Sequence, residues 1–136
     1  MTDYSEYSFI FDVDGTLCPI KKPEENYADL VPYEDMVSKI REYKEKGARI
    51  VLFTSRTMRT YKGDIDLILK NTAPVLEAWL KKWDIPYDEI IYGKPWPGKK
   101  GFYVDDRTIR PEEFINCDIE KMEKICESGR NKRLIQ

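Results

Sequence analysis

The chain has 136 residues, enough for one domain with a core of its own and too few for two ordinary ones. Its 41% apolar and 35% charged residues describe a soluble globular protein, and a net charge of −2 argues against one whose main task is gripping nucleic acid. No stretch approaches the ~20 apolar residues that span a bilayer, and "MTDYSEYS" lacks the basic-then-apolar layout of a secretory signal, so no membrane association and a cytoplasmic location are expected.

Residues 8–13 read as a strand, since Phe9, Ile10, Phe11 and Val13 form a nearly continuous β-favouring run of the kind buried on both faces. Residues 15–33 form an excursion punctuated by Gly15, Pro19, Pro23 and Pro32. From Pro32 to Lys46, Met36, Val37, Ile40 and Tyr43 recur with helical period, and Gly47 is placed to end that helix. "ARIVLFT" (48–54) is a second buried strand. Thr72 is placed to cap a helix that gathers Val75, Leu76, Trp79, Leu80 and Trp83 on one face and stops before Pro86. "DEIIYG" (88–93) and "KGFYVDD" (100–106) read as a third and a fourth strand. Pro111 opens a short helix, and Ile119, Met122, Ile125 and Cys126 mark a last one before a basic tail that is expected to fray.

Strands alternating with helices predict an α/β fold, a single Rossmann-like domain over residues 1–136 with a mostly parallel sheet covered by helices on both faces. Its motifs lie in residues 8–106, with a C-terminal helix and tail in 107–136. Ligands of such sheets sit beyond the carboxyl ends of the strands. Those ends carry Asp12 and Asp14, then Thr54 and Ser55, then Gly93 and Lys94, then Asp105 and Asp106. Four acids, a hydroxyl pair and a lysine are expected to meet in one crevice.

Asp12 and Asp14 raise a question of their own, because two like charges that close disfavour each other unless a cation sits between them. Asp and Gly are common turn formers, so the pair alone could simply turn the chain. Four carboxylates at one rim instead call for a hard divalent cation, and magnesium takes one or two carboxylates, water and a substrate phosphate. The chain has no histidine, and its three cysteines, Cys18, Cys117 and Cys126, are scattered, which disfavours zinc and Ser-His-Asp chemistry. With a lysine for charge balance and a threonine for a phosphoryl oxygen, the set suits phosphoryl transfer. One aspartate of such a pair can attack phosphorus while the other moves the proton. Residues two apart on a strand face the same way, so both can look into one site.

"DVDGTL", "VLFTS", "GKP" and "YVDD" occur in this order, and together they resemble the motifs of the haloacid dehalogenase superfamily. The stretch "YGKPWPGKKGFYVDDRTIRPEEF" is similar to that of its small capsule-biosynthesis phosphatases. The resemblance implies a magnesium-dependent phosphatase acting on a small phosphorylated metabolite through an aspartyl-phosphate. It implies Asp12 as nucleophile and metal ligand and Asp14 as general acid/base, with the Asp14 carbonyl a second ligand. Thr54 would bind the transferring phosphoryl group, and Lys94 would steady Asp12 and the phosphate, with Lys99 and Lys100 close by in sequence. Asp105 would anchor the metal, with Asp106 as a further ligand or its support. Caps in that superfamily are inserted after the first strand or between the second and third; here those places hold only residues 15–33 and about a helix and a loop, which implies no sizeable cap domain and an open site unless a second subunit of a homo-oligomer covers it. The basic segment "SRTMRTYKGD" (55–64) follows Thr54 at once; its Ser55, Arg56, Arg59 and Lys62 are expected to contact the leaving group or a second anionic group. A phosphotransferase or mutase would use the same nucleophile. A signalling receiver domain also carries Asp, Thr and Lys at strand ends, but places its acidic pair before the phospho-accepting aspartate, the reverse of the order here.

Overall fold

The computed structural model describes residues 3–130. They form two compact units, one ending at Trp96 and the other starting at Pro97. The first carries a three-stranded parallel sheet in the order β1-β2-β3, built from β1 (Ser8–Phe11), β2 (Arg49–Thr54) and β3 (Glu89–Tyr92). Phe11 lies opposite Leu52, and Thr54 opposite Tyr92, so the three carboxyl ends reach one rim.

β2 is the central strand, and Ile50, Val51 and Leu52 are all buried, as its unbroken apolar run requires. β1 departs from the expectation of burial on both faces. It lies at an edge of this sheet, and Ile10 is exposed while Phe11 and Val13 are buried. Between β1 and β2, the excursion contains a short 3-10 turn at Tyr27–Asp29 and leads into α1 (Glu34–Glu45). Met36, Val37, Ile40 and Tyr43 are the buried face of α1, the same four that the periodicity selects. Tyr43 packs against Tyr4 and Phe9, with ring centroids 5.1 and 4.7 Å away.

Two helices, rather than one, join β2 to β3. α2 (Ile65–Asn71) starts at Asp64, whose side chain accepts the Leu67 N–H, and α3 (Ala73–Lys82) follows after Thr72. Thr72 does not cap α3 through its side chain; its hydroxyl meets that of Thr57 instead. Leu76, Trp79 and Leu80 are buried as expected, whereas Val75 is exposed. The Trp79 indole N–H donates to the Leu30 carbonyl at 2.6 Å, tying α3 to the excursion. At the amino ends of β2 and β3, Asp88 accepts the Ile50 N–H at 2.8 Å and pairs with Lys44 of α1.

The second unit holds α4 (Pro111–Asn116) and α5 (Ile119–Ser128), with Phe114 and Met122 buried. Both helices match the reading of the sequence, and Asp118 caps α5 by accepting the Lys121 N–H. The expected fourth strand is not formed: residues 100–106 carry no strand, and Phe102 and Val104 are exposed. β-favouring residues make a strand only where a neighbour takes up their backbone groups. The tail expected to fray lies, from residue 131 onward, outside the described residues. Among the described residues, no helix is long and apolar enough to cross a membrane.

Candidate active site

The rim of the first unit is built by three strand ends. After β1 the chain turns sharply at Gly15 (φ 89°), whose N–H donates to the Cys18 carbonyl, while Thr16 and Leu17 both donate to the Val13 carbonyl. The positive φ suits glycine. This turn sends Val13 into the core and leaves Asp12 and Asp14 partly exposed at the rim, with side chains 32% and 21% accessible.

Each aspartate has its own cation. Lys94 comes from just beyond β3, where its N–H donates to the Thr54 carbonyl and prolongs the β2–β3 ladder by one step. Its ammonium lies 3.6 Å from Asp12 Oδ1, and the Thr16 hydroxyl donates to Asp12 Oδ2 at 3.1 Å. Burial pushes the Asp12 carboxyl above the ordinary aspartate value; Lys94 and Thr16 act against that push, and the neighbouring Asp14 charge adds to it. The preceding Gly93 (φ 89°) is confined by α2: a Cβ there would lie 2.6 Å from Ile65 Cδ1.

Asp14 is held from the other side. Arg56 Nε and Nη2 donate to its two carboxylate oxygens at 3.1 and 2.9 Å, a bidentate pair. Arg56 was expected to reach substrate; it is instead buried at 4% exposure, with Cζ 4.2 Å from the centre of the Tyr27 ring. The reason is local. Its N–H donates to the Thr54 hydroxyl at 3.0 Å, and its carbonyl accepts the Thr57 hydroxyl at 2.6 Å, which turns the side chain inward.

Thr54 is buried at 1% exposure at the end of β2, its hydroxyl already accepting from Arg56. Ser55 is half-buried. Arg59 and Lys62 are exposed on the loop that follows, with Arg59 Cζ 5.8 Å from the Trp96 ring centre. Lys62 (φ 51°) and Gly63 (φ 77°) wind the end of that loop before α2. Cys18 is buried beside the rim, and its thiol is pushed up to about 12 by burial, then by the Asp14 charge, which makes it an inert packing group.

Asp105 and Asp106 belong to the second unit. There Asp105 Oδ1 accepts the Arg107 N–H in a tight turn, and Asp106 pairs with Arg130 at 3.0 Å on the surface. Among the described residues, no three Asp, Glu, Cys or His side chains gather into a ligand set for a metal. The first unit offers the Asp12 carboxylate, partly exposed at the rim, to which the resemblance would add the Asp14 carbonyl. That fits an ion such as magnesium, which takes few protein ligands and completes its shell with water and phosphate.

Three participants escaped the reading of the sequence: Thr16 on Asp12, Tyr27 on Arg56, and Thr57 beneath the Arg56 carbonyl. Thr16 stood in plain view within "DVDGT", four residues after Asp12. Tyr27 lies in a proline-rich excursion and carried no signal.

No protein-family model matches the chain, and no curated protein matches it. Among solved structures, the crystal structure of a structural-genomics target from Vibrio cholerae is similar to it. The two share 40% identity over 91% of this chain and 99% of that one, with a TM-score of 0.85.

Proposed function

We propose that the chain, which belongs to one family with this Vibrio cholerae protein, is a phosphatase that hydrolyses a small phosphomonoester through an aspartyl-phosphate on Asp12. The observation that carries the reading is the Asp12 carboxylate at the strand-end rim, flanked by Lys94 at 3.6 Å and by the Thr16 hydroxyl. A half-buried carboxylate between a cation and a hydroxyl, with a second carboxylate beside it, suits attack on phosphorus followed by proton transfer.

In the first half-reaction an Asp12 oxygen forms a bond to phosphorus, the bond from phosphorus to the leaving oxygen breaks, and protonated Asp14 gives that oxygen its proton. In the second, Asp14 takes a proton from water, the water oxygen bonds to phosphorus, and the Asp12–phosphorus bond breaks to release phosphate. Lys94 balances negative charge on Asp12 and on the transferring group. Thr54, at the end of β2, sets the backbone of the turn from which Arg56 reaches Asp14. Magnesium, held by the Asp12 carboxylate and the Asp14 carbonyl, would supply charge neutralisation at the phosphoryl oxygens.

The substrate class is a sugar, polyol or amino-alcohol phosphate, and the resemblance to capsule-biosynthesis phosphatases directs the search to intermediates of surface polysaccharides. The test is phosphate release from a panel of such esters, with magnesium and with EDTA, beside Asp12→Asn. Magnesium-dependent release lost in the variant supports the reading. Phosphate moving to an added alcohol or sugar, without release to water, would make the protein a phosphotransferase. A long-lived phosphorylated protein without turnover would make it a receiver.

A further inference from the structure

We infer that Arg56 is the positioning residue of the proton-transfer step: it fixes the carboxylate plane of Asp14 against the leaving oxygen, and it does not bind substrate. The inference rests on the phosphatase reading of the same site.

Arg56 is fixed from four directions, two at its guanidinium and two at its backbone. Nε and Nη2 take one oxygen each of Asp14, at 3.1 and 2.9 Å. The Tyr27 ring stacks at 4.2 Å on Cζ. The backbone of Arg56 is pinned in front by the Thr54 hydroxyl and behind by that of Thr57. The Thr57 hydroxyl has one proton and gives it to the Arg56 carbonyl, so the Thr72 hydroxyl, 2.5 Å away, is the donor in that contact. The chain accepts strain to hold this corner. Thr57 sits at φ 61°, a region that β-branched residues rarely enter.

Burying a guanidinium is unfavourable unless its charge is matched. Nη1 is buried with no hydrogen-bond partner among the described residues, so the compensation falls to the Asp14 carboxylate and the face of the Tyr27 ring. With a side chain 1% exposed, Arg56 has no face left for a substrate phosphate. What it has is a rigid fork on the one carboxylate whose direction decides proton transfer. The fork occupies one position on each Asp14 oxygen and leaves the outward positions, on a side chain 21% exposed, for a proton and a leaving group.

The consequence is specific to the leaving group. Proton donation matters for an alkoxide leaving group and little for p-nitrophenolate. Specificity constants (kcat/KM) for an alkyl phosphate and for p-nitrophenyl phosphate, measured on wild type, Arg56→Met, Arg56→Lys and Asp14→Asn with magnesium, separate the roles. A positioned general acid contributes roughly 10²- to 10⁴-fold. Arg56→Met should therefore lose roughly tenfold or more on the alkyl ester and little on the aryl ester. Arg56→Met combined with Asp14→Asn should be no worse than Asp14→Asn alone.

Equal losses on both esters, or additive losses in the double variant, would overturn the inference while leaving the phosphatase reading intact. Should Arg56→Met fail to fold, Arg56→Lys decides by the same ratio, since lysine keeps the charge and loses the fork. Wild type inactive on every ester would overturn the phosphatase reading itself.

Discussion

The Lys94 ammonium lies 3.6 Å from Asp12 Oδ1, brought there by the backbone bond between Lys94 N–H and the Thr54 carbonyl. Asp12 and Asp14, two residues apart, thus do not share a cation: Lys94 serves the first and Arg56 the second. Lys99 and Lys100, the other lysines near the motif, lie in the second unit. The substitution Lys94→Met should lower kcat by about 10²- to 10³-fold, the usual cost of removing one group that stabilises developing charge. Steady-state kinetics against wild type, with circular dichroism to establish folding, checks this.

Arg59 is exposed, and its guanidinium lies over the Trp96 ring at 5.8 Å. If it meets the non-reacting part of the substrate, Arg59→Ala raises KM several-fold and leaves kcat within about twofold, since such binding is uniform along the reaction. Unchanged kinetics would remove Arg59 from the site.

Asp88 holds the amino ends of β2 and β3 together, and its carboxyl lies below the ordinary value of 3.8 because it accepts the Ile50 N–H and then the Lys44 ammonium. A group depressed by folding stabilises the protein above its unfolded pKa, and that gain disappears as pH falls through the folded value. Asp88→Asn should therefore lower the urea midpoint at pH 6–7. The gap to wild type should close below about pH 4. A gap that widens in acid would contradict the assignment.

Cys18 is buried, and its thiol is pushed up to about 12. Only the thiolate reacts. Iodoacetamide at pH 8 should leave Cys18 unlabelled in the native protein and label it after denaturation, as read by mass spectrometry of the Cys18 peptide.

Much of this site was legible before the structure. Asp12, Asp14, Thr54 and Lys94 each end or follow a strand whose apolar run gives it away, and parallel pairing then carries all of them to one rim. α1 was equally plain because its four buried residues keep helical spacing. α2 was not: Ile65, Leu67 and Leu69 are exposed and Ile68 alone is buried, so the apolar residues trace no face. The inward turn of Arg56 was hidden for another reason. An arginine in a basic loop just after a strand end reads as a contact for an anionic substrate, and only the distant Asp14 and Tyr27 make its burial tolerable. The fourth strand failed because pairing is decided by a neighbour far along the chain, which the composition of residues 100–106 does not encode.

Trapping the covalent intermediate would show whether Asp12 is the nucleophile. In a single turnover with ³²P-labelled ester and magnesium, quenched in acid, wild type should carry transient label that hydroxylamine removes, as expected of an acyl phosphate. Asp14→Asn should retain the label longer for an aryl ester, because water attack loses its base, and Asp12→Asn should carry none. Label persisting in Asp12→Asn, or full turnover by that variant, would contradict the account.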